Sequence, residues 1–357
     1  MGNRILRLLR WFGILPLWRM VHRYDIIILM IHGVMDEGTK TEWVPLRHRL
    51  SRKQLGMALE VLSRFYHFIP LEDAVAMLNG QKPILPHSLV FTFDDGYRNV
   101  VKYALPLLHQ YKVIPTIFLA AGHCENRQPF WFDRLDYALQ HVGVNGREFT
   151  IGNEKIQIVS NNRTSLRHSY KRLRDTAKKV MRSDMEMIEE MDAIASKLES
   201  ESGRRLADIF ERDDWSSVLS WDEIRRVAKE GVSFGSHTVD HIRLGLVDED
   251  VIRDQLSRSK EMIEMCTGMT VDHFCYPSGS FTRQAMRMAR DVGYEAAVTT
   301  VEGLNRRGDD LMALRRINLP DTGNKAKLLM DAAGLLGLKQ LLKVRGAAVP
   351  REQFFGD

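Results

Sequence analysis

Two aspartates side by side, Asp94 and Asp95, close the apolar run Ser88-Leu-Val-Phe-Thr-Phe93 and are followed at once by Gly96. Adjacent carboxylates at the end of a buried strand are costly, because like charges raise each other's pKa unless something positive holds them. A metal ion supplies such charge. Capping of a helix near Asn99 by Asp95-Gly96 is the alternative, but one aspartate suffices for a cap. A second run ends in Gly235-Ser-His237-Thr-Val-Asp-His241. Histidines four apart share one side of a helical turn and can bind one ion together. Two imidazoles and one carboxylate leave a coordination position for water, the composition of a hydrolytic zinc site.

The elements that would hold these groups alternate between strand and helix, which predicts an α/β fold: a mainly parallel sheet or barrel covered by helices. Strands are expected at Ile26–Ile31, Ser88–Phe93, Thr116–Leu119, Val232–Gly235, His273–Tyr276, Ala296–Thr299 and Ala313–Ile317. Amphipathic helices are expected from Ser51, over Leu71–Leu78 and Val100–Gln110, over Asp248–Cys266 with Asp248 as N-cap, and over Thr282–Val292 closed by Gly293. Residues ~128–220 break the alternation with Trp131–Leu139, a hairpin at Phe149–Val159 around Gly152-Asn153, and charged helical sequence from Leu166 to Leu206. This stretch reads as a helical insertion, a lid or docking element on one side of the barrel. Three regions are expected: an arm over residues 1–24, the barrel over 25–320, and a tail over 321–357.

Thr92-Phe93-Asp94-Asp95-Gly96 and His237-Thr238-Val239-Asp240-His241 together resemble the first two motifs of the polysaccharide deacetylase family, carbohydrate esterase family four. The resemblance covers roughly Asp25 to Asn318 outside the insertion and implies a distorted (β/α) barrel. It implies Asp94 as catalytic base and Asp95, His237 and His241 as ligands of a divalent metal, zinc first. The family's third motif, Arg-x-Pro-Tyr, is altered here to Cys275-Tyr276-Pro277-Ser278. A main-chain N–H at Ser278 keeps an oxyanion role whatever its side chain, with Tyr276 beside it as a substrate contact. The arginine that orients the base is absent, and Arg315 or Arg316 are the expected replacements, Arg315 foremost. The late Leu-x-His motif is missing too, its place reading Leu314-Arg315-Arg316-Ile317. The leaving amine still needs a proton donor. The strand ending at His32-Gly33-Val34 is similar to the opening of permuted relatives such as poly-N-acetylglucosamine deacetylases, which implies His32 as the acid. Trp131 offers a ring face to a sugar, whereas Trp221 reads as packing.

Composition narrows the partners. The 51 basic residues exceed the 46 acidic ones by five, and Arg4, Arg7, Arg10, Arg19 and Arg23 of the acid-free arm are that excess. No nucleic-acid-binding face is therefore expected. Arg4, Arg7 and Arg10 beside Ile5, Leu8, Leu9 and Phe12 form a basic and an apolar stripe suited to a membrane interface, and Lys325–Arg345 repeats the pattern. Three scattered cysteines suggest a reducing compartment. The expectation is a cytoplasmic hydrolase, peripheral at the inner membrane face, that removes an acetyl or formyl group from an N-acylated amino sugar, as a polysaccharide precursor or lipid-linked glycan. A cyclic-amide hydrolase and a non-catalytic sugar-binding or assembly protein are the alternatives.

Overall fold

The structure, a computed structural model, describes residues 14–47 and 49–335. Most of the basic arm and the tail beyond residue 335 lie outside the described residues.

Eight parallel strands form the main sheet: β1 (Ile27–Ile31), β2 (His67–Phe68), β3 (Ser88–Phe93), β4 (Thr116–Leu119), β5 (Ser233–Ser236), β6 (His273–Cys275), β7 (Ala296–Val298) and β8 (Ile317–Asn318). Their order is β7-β6-β5-β4-β3-β1-β8, with β2 pairing the start of β3. Leu314 bridges Val298 of β7, while Ile317 pairs with Leu29 of β1. The last segment thus touches both ends of the path and curls the sheet into a distorted barrel. Runs such as Ile-Ile-Leu-Met-Ile make these strands, because a parallel sheet is buried on both faces and needs apolar residues at every position.

Strand parity divides the core in two. Ile28, Val90, Phe118, Cys275, Val298 and Leu314 share one cluster, sealed by residues of the helix Leu71–Leu78. Ile27, Leu29, Ile31, Phe91, Phe274 and Tyr276 face the opposite way, into the shell of outer helices. A Cβ on Gly235 would lie 2.5 Å from the Phe118 ring, so only glycine lets that ring fill the interior.

The helices follow their caps. Ser51 begins Arg52–Leu62 with a full capping box, Thr282 caps Arg283–Val292, and left-handed Gly293 ends it. Asp248 precedes Glu249–Thr267 but makes no side-chain cap. Val100–Gln110 is split into a wide π turn, Val100–Ala104, and a short α-helix. The strand expected at Ala313–Ile317 is instead a 3₁₀ turn at Leu311–Ala313, a single bridge at Leu314, and β8.

The insertion comprises Trp131–His141, the hairpin Glu148–Ile151 with Glu154–Gln157, and the long helices α1 (Arg163–Val180) and α2 (Asp184–Ser202). It is fastened to the barrel beside the paired histidines. Asp184, at the start of α2, accepts hydrogen bonds from the Arg243 main-chain N–H at 2.6 Å and from its Nε at 2.5 Å. Both residues are buried. Removing one partner of such a pair strands the other charge without solvent, so Asp184→Ala should lower unfolding stability by about 3–5 kcal/mol. Chemical denaturation measures this; a loss under about 1 kcal/mol would show that the contact does not hold the insertion.

Candidate active site

The barrel gathers its chemistry at the C-terminal strand ends, where parallel folds place their sites. His32 follows β1, Asp94 and Asp95 follow β3, His237 follows β5 and Cys275 ends β6, while Arg316 joins them from just before β8, whose Ile317 pairs with Leu29 of β1. Backbone bonds fix these exits: the Asp94 N–H donates to Ile31 O at 2.9 Å and the His237 N–H to Leu119 O at 2.8 Å.

Asp94 and Asp95 are consecutive, yet they face different partners. Asp94 receives a two-pronged contact from Arg316, Nη1 to Oδ1 and Nη2 to Oδ2, each 2.7 Å. Arg316 is itself positioned by Nε donating to Thr299 O at 2.8 Å and Nη1 to Thr92 Oγ1 at 3.0 Å. The pair is buried on both sides. Burial would raise the Asp94 pKa, but the guanidinium outweighs it and holds the carboxyl below its ordinary value. Asp95 has a left-handed backbone, φ 74°, followed by Gly96 at φ 72°. That double turn swings its carboxylate toward His237 and His241, whose Nε2 atoms lie 3.5 and 3.3 Å from Oδ1. Asp95, Thr238, His241 and Ser278 are four of the seven non-glycine residues with positive φ among those described, so backbone strain concentrates here.

Asp95, His237 and His241 fit a divalent cation. Asp95 Oδ1 is buried without a hydrogen-bond partner, and the three donor atoms lie within 4.8 Å of one another. Donors each about 2.0–2.1 Å from a tetrahedral ion stand roughly 3.4 Å apart, close to the two observed separations. The His237 Nδ1–H donates to Cys275 O at 2.6 Å, which leaves Nε2 as the electron-pair donor. A second group, Asp94, His237 and Cys275, is equally compact. It does not suit a cation: Arg316 occupies both Asp94 oxygens and its Nη2 lies 3.2 Å from Cys275 Sγ, while burial pushes the thiol pKa up.

The cavity above these groups holds about 550 Å³ counting its open mouth. His32, Trp131 and Ser278 line it together with Asp94, Asp95, His237 and His241. Burial lowers the His32 pKa against the opposing pull of Asp95 and Asp94, so its resting form is neutral. Two expected members are elsewhere. Tyr276 is wholly buried and stacks on Phe281, because strand alternation turns it outward while Cys275 faces inward. Arg315 reaches Asp309 at 3.0 Å and Leu304 O at 3.1 Å, outside the cavity. Leu314 points into the barrel, so parity sends Arg316, not Arg315, to Asp94. The histidine pair also differs in mechanism of approach: His237–His241 spans a loop with Thr238 at φ 68° and His241 at φ 55°, not a helical turn. Arg47, Phe132, Arg174, Lys178, Asp184, Met187, Arg243 and Thr300 complete the lining unforeseen. The one sequence signal for part of them is Tyr170, Arg174 and Lys178 at intervals of four on one helix.

The polysaccharide deacetylase family model matches residues 82–297, more than half of the chain. Two Bacillus subtilis (strain 168) proteins align over shorter stretches. YxkH, which carries the name of a polysaccharide deacetylase, is 26% identical over 101 residues, 28% of this chain and 36% of that protein. YlxY, uncharacterized, is 26% identical over 130 residues, 35% of this chain and 41% of that protein. The matched stretches thus span less than half the length of either relative. Among solved structures, the Streptococcus pyogenes deacetylase PplD in complex with acetate shares the fold with a TM-score of 0.55 and 17% identity, covering 86% of this chain and 98% of that one. IcaB from Ammonifex degensii gives 0.52 and 17%, covering 87% and 97%. The chain belongs to the polysaccharide deacetylase family.

The arginine assignment has a direct test. Arg316→Gln should lower kcat/KM on an acylated amino sugar by about 10–100-fold, the range for losing a supporting group around a catalytic residue. Arg315→Gln, which breaks a part-exposed surface pair and one main-chain contact outside the cavity, should stay within about twofold. Equal losses in the two variants would refute the assignment.

Proposed function

We propose that this member of the polysaccharide deacetylase family hydrolyses an amide-linked acyl group, acetyl or formyl, from an amino sugar in a glycan or glycan precursor. The observation that carries this reading is the division of the adjacent aspartates, one clasped by Arg316 and the other turned to two imidazoles. A divalent cation held by Asp95, His237 and His241, zinc in this proposal, supplies positive charge that polarises the acyl carbonyl and makes water more acidic.

Asp94 takes the proton of the attacking water. Each of its oxygens spends one lone pair on Arg316 and keeps another, and its lowered pKa keeps it ionised at neutral pH. The carbonyl oxygen, as it gains charge, is received by the main-chain N–H of Ser278 at the cavity wall. His32, neutral at rest and near both carboxylates, takes up the proton that Asp94 has drawn from water and passes it to the departing nitrogen, which returns both groups to their starting forms. Trp131 lines the same cavity and offers its ring to the sugar.

Membrane-surface contact is a second part of the proposal. Within the helix Ile14–Val21, Leu15 packs against Met330 and Ala333, and Trp18 Nε1 donates to Ala333 O at 2.8 Å. Leu17, Met20, Val21 and Tyr24 form an exposed apolar stripe at helical spacing, flanked by Arg19 and Arg23. Such a stripe suits the lipid interface. No helix among the described residues is long and apolar enough to cross a membrane.

Two outcomes are expected. Asp94→Asn should cut turnover by about 10²–10⁴ while bound metal, measured by elemental analysis, persists; retained turnover would remove the base assignment. The paired substitution Leu17→Ser with Val21→Ser should weaken co-sedimentation with anionic vesicles, and unchanged binding would remove the membrane proposal.

A further inference from the structure

One wall of the cavity carries charge for which hydrolysis of a neutral acylamino sugar has no use. Arg47, Arg174, Lys178 and Arg243 all line it. Arg47 is paired with Asp133 at 2.5 Å and Arg243 with Asp184. Arg174 and Lys178 make no ion pair among the described residues; their contacts are Lys178 Nζ to Ser278 Oγ at 3.4 Å and the Arg174 guanidinium over the Tyr170, Trp131 and Phe132 rings at 5.1–5.9 Å. Arg47 Nε, Arg174 Nε and Arg243 Nη2 are buried donors without an acceptor.

Crowding of this kind is unfavourable by itself. Burial, with Arg174 and Arg243 adding to it, brings the Lys178 pKa down to about 8. The carboxylates lining the cavity do not relieve the excess. Asp94 is taken by Arg316, Asp184 by Arg243, and Asp95 faces the two histidines. A cation at Asp95 would add positive charge to the same cavity. What is missing is an anion, and arginine forks with a lysine are the donors that recognise phosphoryl or carboxylate oxygens.

Resting on the reading of this site as an amino-sugar deacylase, we propose that its substrate bears an anionic substituent, phosphoryl or carboxylate, on or beside the acylated ring, received by Arg174, Lys178 and Arg243. The insertion is then the specificity element of the enzyme. Its α1 brings Arg174 and Lys178, its α2 brings Asp184, which holds Arg243 in place, and Trp131 bounds the sugar between this wall and the catalytic floor.

The test compares kcat/KM of the metal-loaded protein on three acylated amino sugars: a neutral oligosaccharide, a sugar 1-phosphate and an aminouronate. Wild type should favour one anionic substrate over the neutral one by at least about tenfold, and Arg174→Gln or Lys178→Gln should reduce that ratio by about tenfold, as expected for one charge-assisted contact. The phosphate and uronate arms separate the two sources of charge. Equal rates on neutral and anionic substrates, with a ratio unmoved by either variant, would overturn the proposal. If no arm is deacylated, the deacylase reading fails, and calorimetry with the sugar 1-phosphate and the aminouronate decides the anion site by itself. Binding by wild type that Arg174→Gln with Lys178→Gln abolishes, in a variant whose melting temperature is retained, supports it; no binding by wild type, or binding indifferent to both substitutions, overturns it.

Discussion

Two consecutive carboxylates buried at one strand end set the constraint that the rest of the site satisfies. Left alone, each would raise the other's pKa and one would protonate. The fold resolves this by separating their partners. Arg316 reaches through the barrel interior to neutralise Asp94, and the left-handed turn at Asp95-Gly96 delivers the second carboxylate to His237 and His241. Almost every unusual feature nearby serves that separation. A Cβ at Gly96 would meet Leu119 Cδ2 at 2.9 Å, so the turn needs glycine for space as well as for φ. Cys275 is small enough to leave Arg316 room beside it, in the place where the family's motif carries an arginine. The same charge, in effect, enters the site from a different strand.

That relocation shows where sequence reasoning reached and where it stopped. Ser88–Phe93 and Thr116–Leu119 occur with the bounds that their apolar runs suggest, since strands buried on both faces announce themselves by composition. Asp94, Asp95, His32, His237 and His241 do converge. Residue type does not choose between Arg315 and Arg316, since both are arginines; strand parity from inward-facing Leu314 does. Tyr276 is the same lesson, one residue from inward-facing Cys275 and turned away. The two-residue β2 and the Leu311–Ala313 turn are too short to leave a periodic signal. For the histidines, spacing of four was compatible with a helical turn, and only tertiary contacts select the strained loop that is present.

The insertion was legible as helices but not as a wall of the site. Its helices are polar and highly charged, and beyond the four-residue spacing of Tyr170, Arg174 and Lys178 nothing in their local sequence separates a solvated lysine from one such as Lys178 that lines a cavity. The buried Asp184–Arg243 pair joins residues 59 positions apart and has no local signature at all. Yet this pair ties the start of α2 to the chain two residues beyond His241, so the insertion and the segment that carries the imidazoles are joined directly. On the proposed chemistry, the barrel would supply the reacting groups and the insertion the selectivity.

The proposed chemistry turns on Asp95, His237 and His241 holding the ion while Asp94 does not. Anomalous diffraction at the zinc edge, from crystals grown with that ion, tests it most directly. A single strong peak is expected, bounded by Asp95 Oδ1 and the Nε2 atoms of His237 and His241, with Arg316 still clasping Asp94. A peak bounded by Asp94 and Cys275, with Arg316 displaced, would contradict it.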